Sequence, residues 1–194
     1  MPRGTRERIM DVALELFVER GAAATPVTTI EAAAGLSPGS GSFYRHFKDK
    51  EALLAAVVER EVTRVGKDPD AQVENTDGAG EQRLATQLRS DLDYLGELRS
   101  LIMILLWERN RAPELAEWVR KTSADRGIEL GVEALRLAGP SAAVEEDEVA
   151  AATVMQSAMI GYFLAAEYFG ASPADVDPDR FTAALARLLT NRDA

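Results

Sequence analysis

Apolar residues recur at three- and four-residue spacing in successive segments of this chain, and no segment has a convincing strand pattern. Helical patterns cover five segments of the C-terminal two thirds: about 81–95, 97–110, 113–138, 146–169 and 178–190. Glycine and proline stand at their ends, as with Pro178 behind a possible Asp177 cap and Gly170 where a helix stops. The sequence therefore predicts an all-α protein.

The sequence pattern of the N-terminal third predicts short helices. The first has its apolar stripe at Ile9, Ala13, Leu16 and Phe17. Gly21 is expected to end it. The second is expected to begin with Thr25 as N-cap and Pro26 in the first helical position, and to end at Gly35 after about nine residues.

The segment "AGLSPGSGSFYRHF", residues 34–47, leads into a predicted third short helix. Either Ser37 or Ser40 is suited to cap that helix. Asp49 is expected to cap a fourth helix, "KEALLAAVVEREVTRV", whose buried stripe is Leu53, Leu54, Val57 and Val58.

Charge and composition indicate two domains. Residues 66–80 are rich in glycine, proline and acid, and they predict a loop between an N-terminal domain over 1–65 and a helical domain over 81–194. The net charge is −10, but residues 1–67 carry ten basic and nine acidic side chains, against twelve and twenty-three in the remainder. A polyanionic partner would therefore have to meet the N-terminal domain.

Several chemistries are excluded or disfavoured by residue counts. The chain has no cysteine, which excludes disulfides, thiolate metal sites and a cysteine nucleophile. Its one histidine, His46, has no evident partner acid, and no Glu-x-x-His pair for a di-iron bundle occurs. We expect no enzymatic activity, no cofactor and no metal site.

Two segments bear on membrane association, the N-terminus and residues 149–166, and neither favours it. The N-terminal segment carries charges where a signal peptide needs an apolar run, so a cytoplasmic location is expected. Residues 149–166 approach transmembrane length, but their bulk is mostly alanine and they include Thr153 and Gln156. They predict a buried helix of a soluble protein.

Two short helices joined by "AGLS" describe a helix-turn-helix, in which the second helix is presented outward. Side chains able to contact phosphate or base edges are concentrated in this region. They are Thr25, Thr28, Ser37, Ser40, Ser42, Tyr44, Arg45, His46, Lys48 and Lys50.

The runs "TPVTTIEAAAGLS" and "FYRHFKDKEALL" resemble the DNA-binding domain of the TetR family of bacterial transcription regulators. The resemblance covers roughly residues 5–58, and beyond it only the helix layout is similar. It implies a helix-turn-helix DNA-binding domain followed by a helical domain for effector binding and dimerisation.

The sequence departs from the family pattern in two places. Six residues, "PGSGSF", separate Ser37 from Tyr44, where the family usually has four, so the start of the third helix is left open. Glu31 stands where the family commonly has alanine. An exposed acid there would be harmless, whereas one facing phosphate would weaken binding.

The resemblance implies that Tyr44 contacts phosphate while its ring packs on the domain. Phe43 and Phe47 are expected to pack beneath the helix instead. His46, Lys48 and Lys50 are candidate phosphate contacts, the two lysines because they flank a helix N-terminus that favours anions.

Base reading is assigned to small residues and one arginine. Arg45 either pairs with guanine or contacts phosphate, and Ser40, Gly41 and Ser42 let the helix approach the bases closely. Arg3, with Arg6, resembles a basic N-terminal arm that reaches an adjacent groove or the backbone.

The last two long helices are expected, by the resemblance, to form a homodimer interface. Small residues on one helix and an apolar stripe on the other allow close approach. The predicted interface residues are Ala158, Gly161, Ala165, Phe181, Leu185, Leu188 and Leu189.

The middle helices are expected to enclose an unknown small effector, apolar or aromatic. The candidate lining residues are Leu88, Leu92, Met103, Leu106, Trp107, Trp118, Met155, Gln156, Met159, Tyr162 and Phe163. Gln156 and Tyr162 are the candidate polar anchors.

The sequence thus predicts a ligand-responsive repressor that binds a palindromic operator in double-stranded DNA as a dimer, with no membrane partner. A helical protein-interaction adaptor without sequence-specific DNA binding is the alternative, and the two-residue insertion favours it. Salt-dependent binding to DNA distinguishes the two readings.

Overall fold

The computed structural model describes residues 4–65 and 80–191, which form α-helices and no strand. The helices are α1 Thr5–Arg20, α2 Val27–Ala33, α3 Lys50–Val65, α4 Gly80–Glu97, α5 Arg99–Glu108, α6 Pro113–Val119, α7 Asp125–Ala138, α8 Ala142–Glu146, α9 Glu148–Phe169 and α10 Pro178–Thr190. Two 3₁₀ turns, Phe43–Arg45 and Pro173–Asp175, and a π turn, Arg120–Ala124, lie between them. The predicted all-α fold is confirmed.

The chain divides into two compact units. The first takes its residues from Met1–Lys67 and Leu98–Val119, and the second from Asp68–Glu97 and Arg120–Ala194. The predicted C-terminal domain over 81–194 is therefore not one unit, because α5 and α6 share the core of the N-terminal helices. Of the predicted loop over 66–80, only Gly80 lies within the described residues, and it begins α4.

The first unit has a single apolar core. Ile9, Ala13 and Phe17 of α1 are buried as predicted, and Leu101 and Ile104 of α5 join the same cluster. The core forms because α1, α3 and α5 each direct one apolar stripe at the others.

Helix α3 has the predicted bounds. Its predicted stripe, Leu53, Leu54, Val57 and Val58, is buried. Oδ1 of Asp49 accepts a hydrogen bond from the N–H of Ala52 at 2.7 Å, which confirms the predicted cap. Helix α3 thus begins at a defined point soon after residues 34–47, which are called the recognition segment below.

The start of α2 differs from the prediction. The helix begins at Val27 and Pro26 occupies the N-cap position. The Thr25 side chain makes no cap, because its hydroxyl donates to the carbonyl of Gly21 at 2.8 Å. Thr25 therefore closes the turn between α1 and α2.

The second unit is built around α9. Side chains of Ala152, Met155, Met159, Tyr162 and Phe163 are buried, and α7 is the main neighbour of this helix. By length and composition alone, α9 could also cross a membrane. In this structure 28% of its most apolar window is buried, so the predicted buried helix stays a prediction.

Two further predictions concern helix ends. The predicted helix over 113–138 is divided by the π turn into α6 and α7, which belong to different units. The cap of α10 is as predicted, since Oδ1 of Asp177 accepts from the N–H of Arg180 at 2.9 Å with Pro178 next in the chain.

Candidate nucleic-acid interface

The segment between α2 and α3 contains only a short turn of 3₁₀ helix, Phe43–Arg45. Gly39 and Gly41 have φ of +77° and +76°, a conformation that an α-helix cannot contain. The third helix is therefore a single 3₁₀ turn, and it starts after Ser42, beyond both of the predicted caps, Ser37 and Ser40.

Two buried phenylalanines fix this turn to the domain. Phe43 is fully buried and Phe47 nearly so, with ring centroids 5.9 Å apart, as predicted for residues that pack beneath the helix. Between them Tyr44 is 61% exposed, its ring edge against Phe43 at 5.2 Å. The phenylalanines thus hold the turn while Tyr44 is presented to solvent.

Most of the predicted contacts lie on the outside of this segment. Thr28, Ser37, Ser40, Arg45 and Lys48 are exposed, whereas Gly41, Ser42 and His46 are partly buried.

Within this set, the hydroxyls of Ser40 and Ser42 lie 2.8 Å apart and hydrogen-bond to each other. Lys48 pairs with its neighbour Asp49 at 3.5 Å, and its side chain is 85% exposed. The two serines therefore share a hydrogen bond that a base edge could replace, and Lys48 keeps donors that face solvent.

Thr25 and Lys50 point into the domain. Thr25 is fully buried, so the prediction that it contacts DNA is wrong for this conformation. Nζ of Lys50 donates to the carbonyls of Thr25 and Ala23 at 3.1 and 3.4 Å. A phosphate contact by Lys50 stays a prediction, beside this role in holding the turn between α1 and α2.

The predicted N-terminal arm is described only in part. Arg3 lies outside the described residues. The guanidinium of Arg6 lies 4.8 Å from the centroid of the Phe47 ring and donates to the sulfur of Met10 at 3.3 Å. Arg6 is therefore engaged with the domain itself.

Three buried acids in this unit were not predicted as buried, and one of them, Glu61, is 4% exposed and pairs with Arg60 and Arg64. Glu31 is 2% exposed and accepts from the N–H groups of Gly39 and Phe43. Glu108 is 5% exposed and accepts from the N–H of Ala22 at 2.9 Å. Glu31 had a sequence signal, its departure from the family pattern, whereas nothing in the local sequence marks Glu108.

The predicted effector residues are divided between the two units. In the first, Met103, Leu106 and Trp107 line an open cleft of about 580 Å³ together with Arg109, Asn110 and Arg111. Trp107 is 50% exposed and Trp118 is 39% exposed. The indole N–H of Trp107 donates to the carbonyl of Val18 at 3.2 Å.

In the second unit, Leu88, Leu92, Met155, Met159 and Phe163 are buried among its helices, and Gln156 is partly buried. Tyr162 is not free to act as a polar anchor. Its hydroxyl donates to the carbonyl of Val176 at 2.7 Å, and its ring stacks on Phe181 at 4.2 Å. The pocket as a whole stays a prediction.

A partly buried acid lies on α4 beside these leucines. Burial raises the pKa of Asp91, which a hydrogen bond from Gln87 at 2.9 Å partly offsets. Burial also raises the pKa of Tyr94, and the nearby carboxylates of Glu97 and Asp91 raise it further. The sequence pattern gave no sign of this group.

The predicted dimer residues differ in exposure. Leu185 and Leu189 are buried inside the second unit, and Phe181 is partly buried against Tyr162. Leu188 is 77% exposed, and a Cβ at Gly161 would meet open space. Ala158 and Ala165 are partly buried.

Comparisons with known proteins agree with this arrangement. Residues 9–57 match the family model described as bacterial regulatory proteins, tetR family. The uncharacterized HTH-type transcriptional regulator YerO of Bacillus subtilis is 31% identical over 113 residues, which are 58% of this chain and 38% of YerO. The HTH-type transcriptional repressor KstR2 of Rhodococcus jostii is 37% identical over 81 residues, which are 37% of this chain and 39% of KstR2.

The chain thus spans less than two thirds of the length of each of these relatives. Over its whole length it resembles the crystal structure of a TetR-like transcriptional regulator from Rhodococcus sp. RHA1. That likeness has a TM-score of 0.68 and 24% identity, and it covers 97% of this chain and 95% of the other. At this identity the likeness shows a shared fold.

Proposed function

Because this chain belongs, through its N-terminal domain, to the TetR family of bacterial regulatory proteins, we propose that it is a DNA-binding transcriptional regulator. One observation carries the proposal. The turn Phe43–Arg45 is anchored by two buried phenylalanines and presents exposed Tyr44 and Arg45 side by side. Enzymatic activity is not part of the proposal, and we place the protein in the cytoplasm, where the operator would be.

Backbone contacts to DNA are assigned to exposed donors around the turn. The phenol of Tyr44 and the ammonium of Lys48 can each donate to a phosphate oxygen, and so can a ring N–H of His46. Thr28 and Ser37 supply neutral hydroxyl donors on the same exposed surface. These contacts would set the position of the turn on the duplex.

Base reading is assigned to Arg45 with Ser40, Gly41 and Ser42. The guanidinium can pair bidentately with a guanine in the major groove, and the small residues before it permit close approach. The short turn gives this protein fewer reading positions than a full recognition helix would.

We propose a homodimer that places two such turns on successive major grooves of a palindrome, about 34–36 Å apart. Val154, Gly161 and Tyr168 on α9 are exposed at helical spacing, with Ala158 and Ala165 on the same stripe. Leu188 is exposed on α10. Leu185 and Leu189 support this surface from beneath instead of lying in it.

The proposed regulation is repression relieved by a small apolar or aromatic effector. An effector that prefers a conformation with the two turns wrongly spaced would weaken operator binding by about 1–3 kcal/mol. The similarity to a protein named as a repressor supports repression, as opposed to activation, as the effect on transcription.

The test is selection of duplexes from a random pool with the purified protein, followed by footprinting. We expect an enriched palindrome whose half-sites lie about one helical turn apart or a multiple of it. Recovery of no enriched sequence would overturn the proposal and favour the adaptor reading.

Replacing Lys48 with alanine is expected to weaken binding to all duplexes and to make the salt dependence less steep by about one unit per subunit. The reason is the loss of one exposed cation at the phosphate backbone. Affinity measured across a range of salt concentrations checks this. Lys121→Ala, an exposed lysine of the second unit, is the matched control and should keep the slope; an unchanged slope for Lys48→Ala would remove this residue from the phosphate contacts.

Replacing Arg45 with alanine is expected to relax the preference at one position of each half-site, by about 1–3 kcal/mol of discrimination. Repeating the selection with the variant measures the preference directly. Arg20→Ala, at the end of α1, should select the wild-type sequence. A uniform loss of affinity over all sequences would show that Arg45 contacts phosphate only.

A further inference from the structure

The side chain of Glu31 lies inside the first unit, between α2 and the turn that follows. Its two carboxylate oxygens accept from different N–H groups, Oε2 from Gly39 at 2.7 Å and Oε1 from Phe43 at 3.1 Å. These are its side-chain partners among the described residues. One carboxylate therefore holds two points of the backbone that are four residues apart in the chain.

The bridged segment is the part of the chain that departs from the family pattern. Ser40, Gly41 and Ser42 lie between the two bound N–H groups, and this stretch contains the extra length before Tyr44. Gly39 and Gly41 both have positive φ, which interrupts helical hydrogen bonding here. The N–H of Ser40 donates to the carbonyl of Ser37 and that of Ser42 to the hydroxyl of Ser40, whereas the N–H groups of Gly39 and Phe43 donate to the Glu31 carboxylate.

The bond to Phe43 matters most for orientation. Phe43 is the first residue of the 3₁₀ turn and its N–H is buried, so without Glu31 this donor would have no acceptor. Hydrogen bonds to a carboxylate are also stronger than those to a neutral acceptor. Glu31 thereby sets where the turn begins, and with it the directions of Tyr44 and Arg45.

We propose that Glu31 is a positioning residue that adapts this domain to its lengthened recognition segment, so that the two departures from the family pattern are one structural unit. The inference rests on the proposed DNA-binding function for its consequence, but not for its geometry. Because the carboxylate is buried and engaged by N–H groups, it does not present its charge to phosphate.

The first test uses Glu31→Gln, which keeps the shape of the side chain but leaves only one acceptor oxygen. Amide hydrogen exchange followed by NMR is expected to show faster exchange at Gly39, Phe43 or both, with the other amides of α2 and α3 unchanged. Glu59→Gln, an exposed glutamate of α3, is the matched control for charge and should change neither amide. Unchanged exchange at both amides in Glu31→Gln would overturn the proposal.

The second test measures DNA affinity and sequence preference. Glu31→Ala, studied well below its unfolding temperature, is expected to bind the wild-type selected duplex about tenfold or more weakly. A repeated selection should give an altered or degenerate half-site. Loss of affinity with the same selected sequence would show a role in stability alone and would overturn the positioning role.

The third test couples the two departures. Deleting Pro38 and Gly39 returns the spacing between Ser37 and Tyr44 to the family pattern without removing a residue assigned to base reading, and in the Glu31→Ala background this deletion is expected to recover tighter DNA binding than Glu31→Ala alone. The same deletion with Glu31 present is expected to weaken binding. Additive effects of the two changes would contradict the coupling.

Failure of this proposal and failure of the proposed function are distinguishable. If the wild-type protein enriches no duplex, the DNA-binding function fails, while the exchange at Gly39 and Phe43 still decides whether Glu31 holds the segment. If the wild-type protein enriches a palindrome and Glu31→Gln leaves both amides and the selected sequence unchanged, only the positioning role is lost.

Discussion

Replacing Phe43 with alanine is expected to lower the free energy of unfolding of the first unit by about 3–5 kcal/mol and to abolish operator binding. Phe43 is fully buried in the core with Ile30 and Leu53, and its ring contacts both Tyr44 and Phe47. The substitution leaves a cavity beneath the 3₁₀ turn, and the turn loses the side chain that fixes it to the domain.

Urea denaturation followed by circular dichroism, together with titration of the selected duplex, measures both effects. Tyr44→Ala is the control, because it removes a neighbouring ring that is mostly exposed. We expect it to change stability little while it weakens DNA binding. A Phe43→Ala variant with wild-type stability would contradict the structure of this core.

Replacing Leu188 with glutamate is expected to convert the proposed dimer to a monomer and to weaken operator binding by about 10²–10⁴-fold. Leu188 is 77% exposed in the single chain, so glutamate is tolerated there in the monomer. In the proposed interface the same charge would be buried without a partner. Each monomer would then hold DNA by one turn only.

Sedimentation analysis and titration of the selected palindrome check this second expectation. Leu137→Glu is the matched control, because Leu137 is also an exposed leucine of the second unit but lies on α7. That variant should stay dimeric and bind normally. A dimeric Leu188→Glu protein would remove α10 from the proposed interface.

Helix positions were predicted well wherever the local sequence contains its own start and stop. Helix α3 has the predicted bounds because Asp49 caps it with its own side chain, and α10 begins as predicted because Asp177 does the same. The predicted helix over 113–138 has no such internal punctuation at its π turn. Its division follows from packing, since α6 and α7 belong to different units.

Side-chain roles were harder to predict than helix positions. Thr25 and Lys50 have the right chemistry for phosphate, yet they bond to backbone carbonyls inside the domain. Tyr162 has the chemistry of a ligand anchor, but its hydroxyl is bonded to Val176. A residue type indicates which atoms can donate, whereas the folded chain determines which acceptor is nearest.

The sequence by itself determined the all-α class, the helix-turn-helix with its resemblance to the TetR family, and the aromatic anchor at Phe43 and Phe47. These depend on apolar periodicity and on short motifs, which are local. Only the tertiary structure decided that the third helix is a single 3₁₀ turn and that Glu31 is buried beneath it. Both depend on contacts between residues 31, 39 and 43, which are separated in the sequence and meet only when the chain folds back on α2.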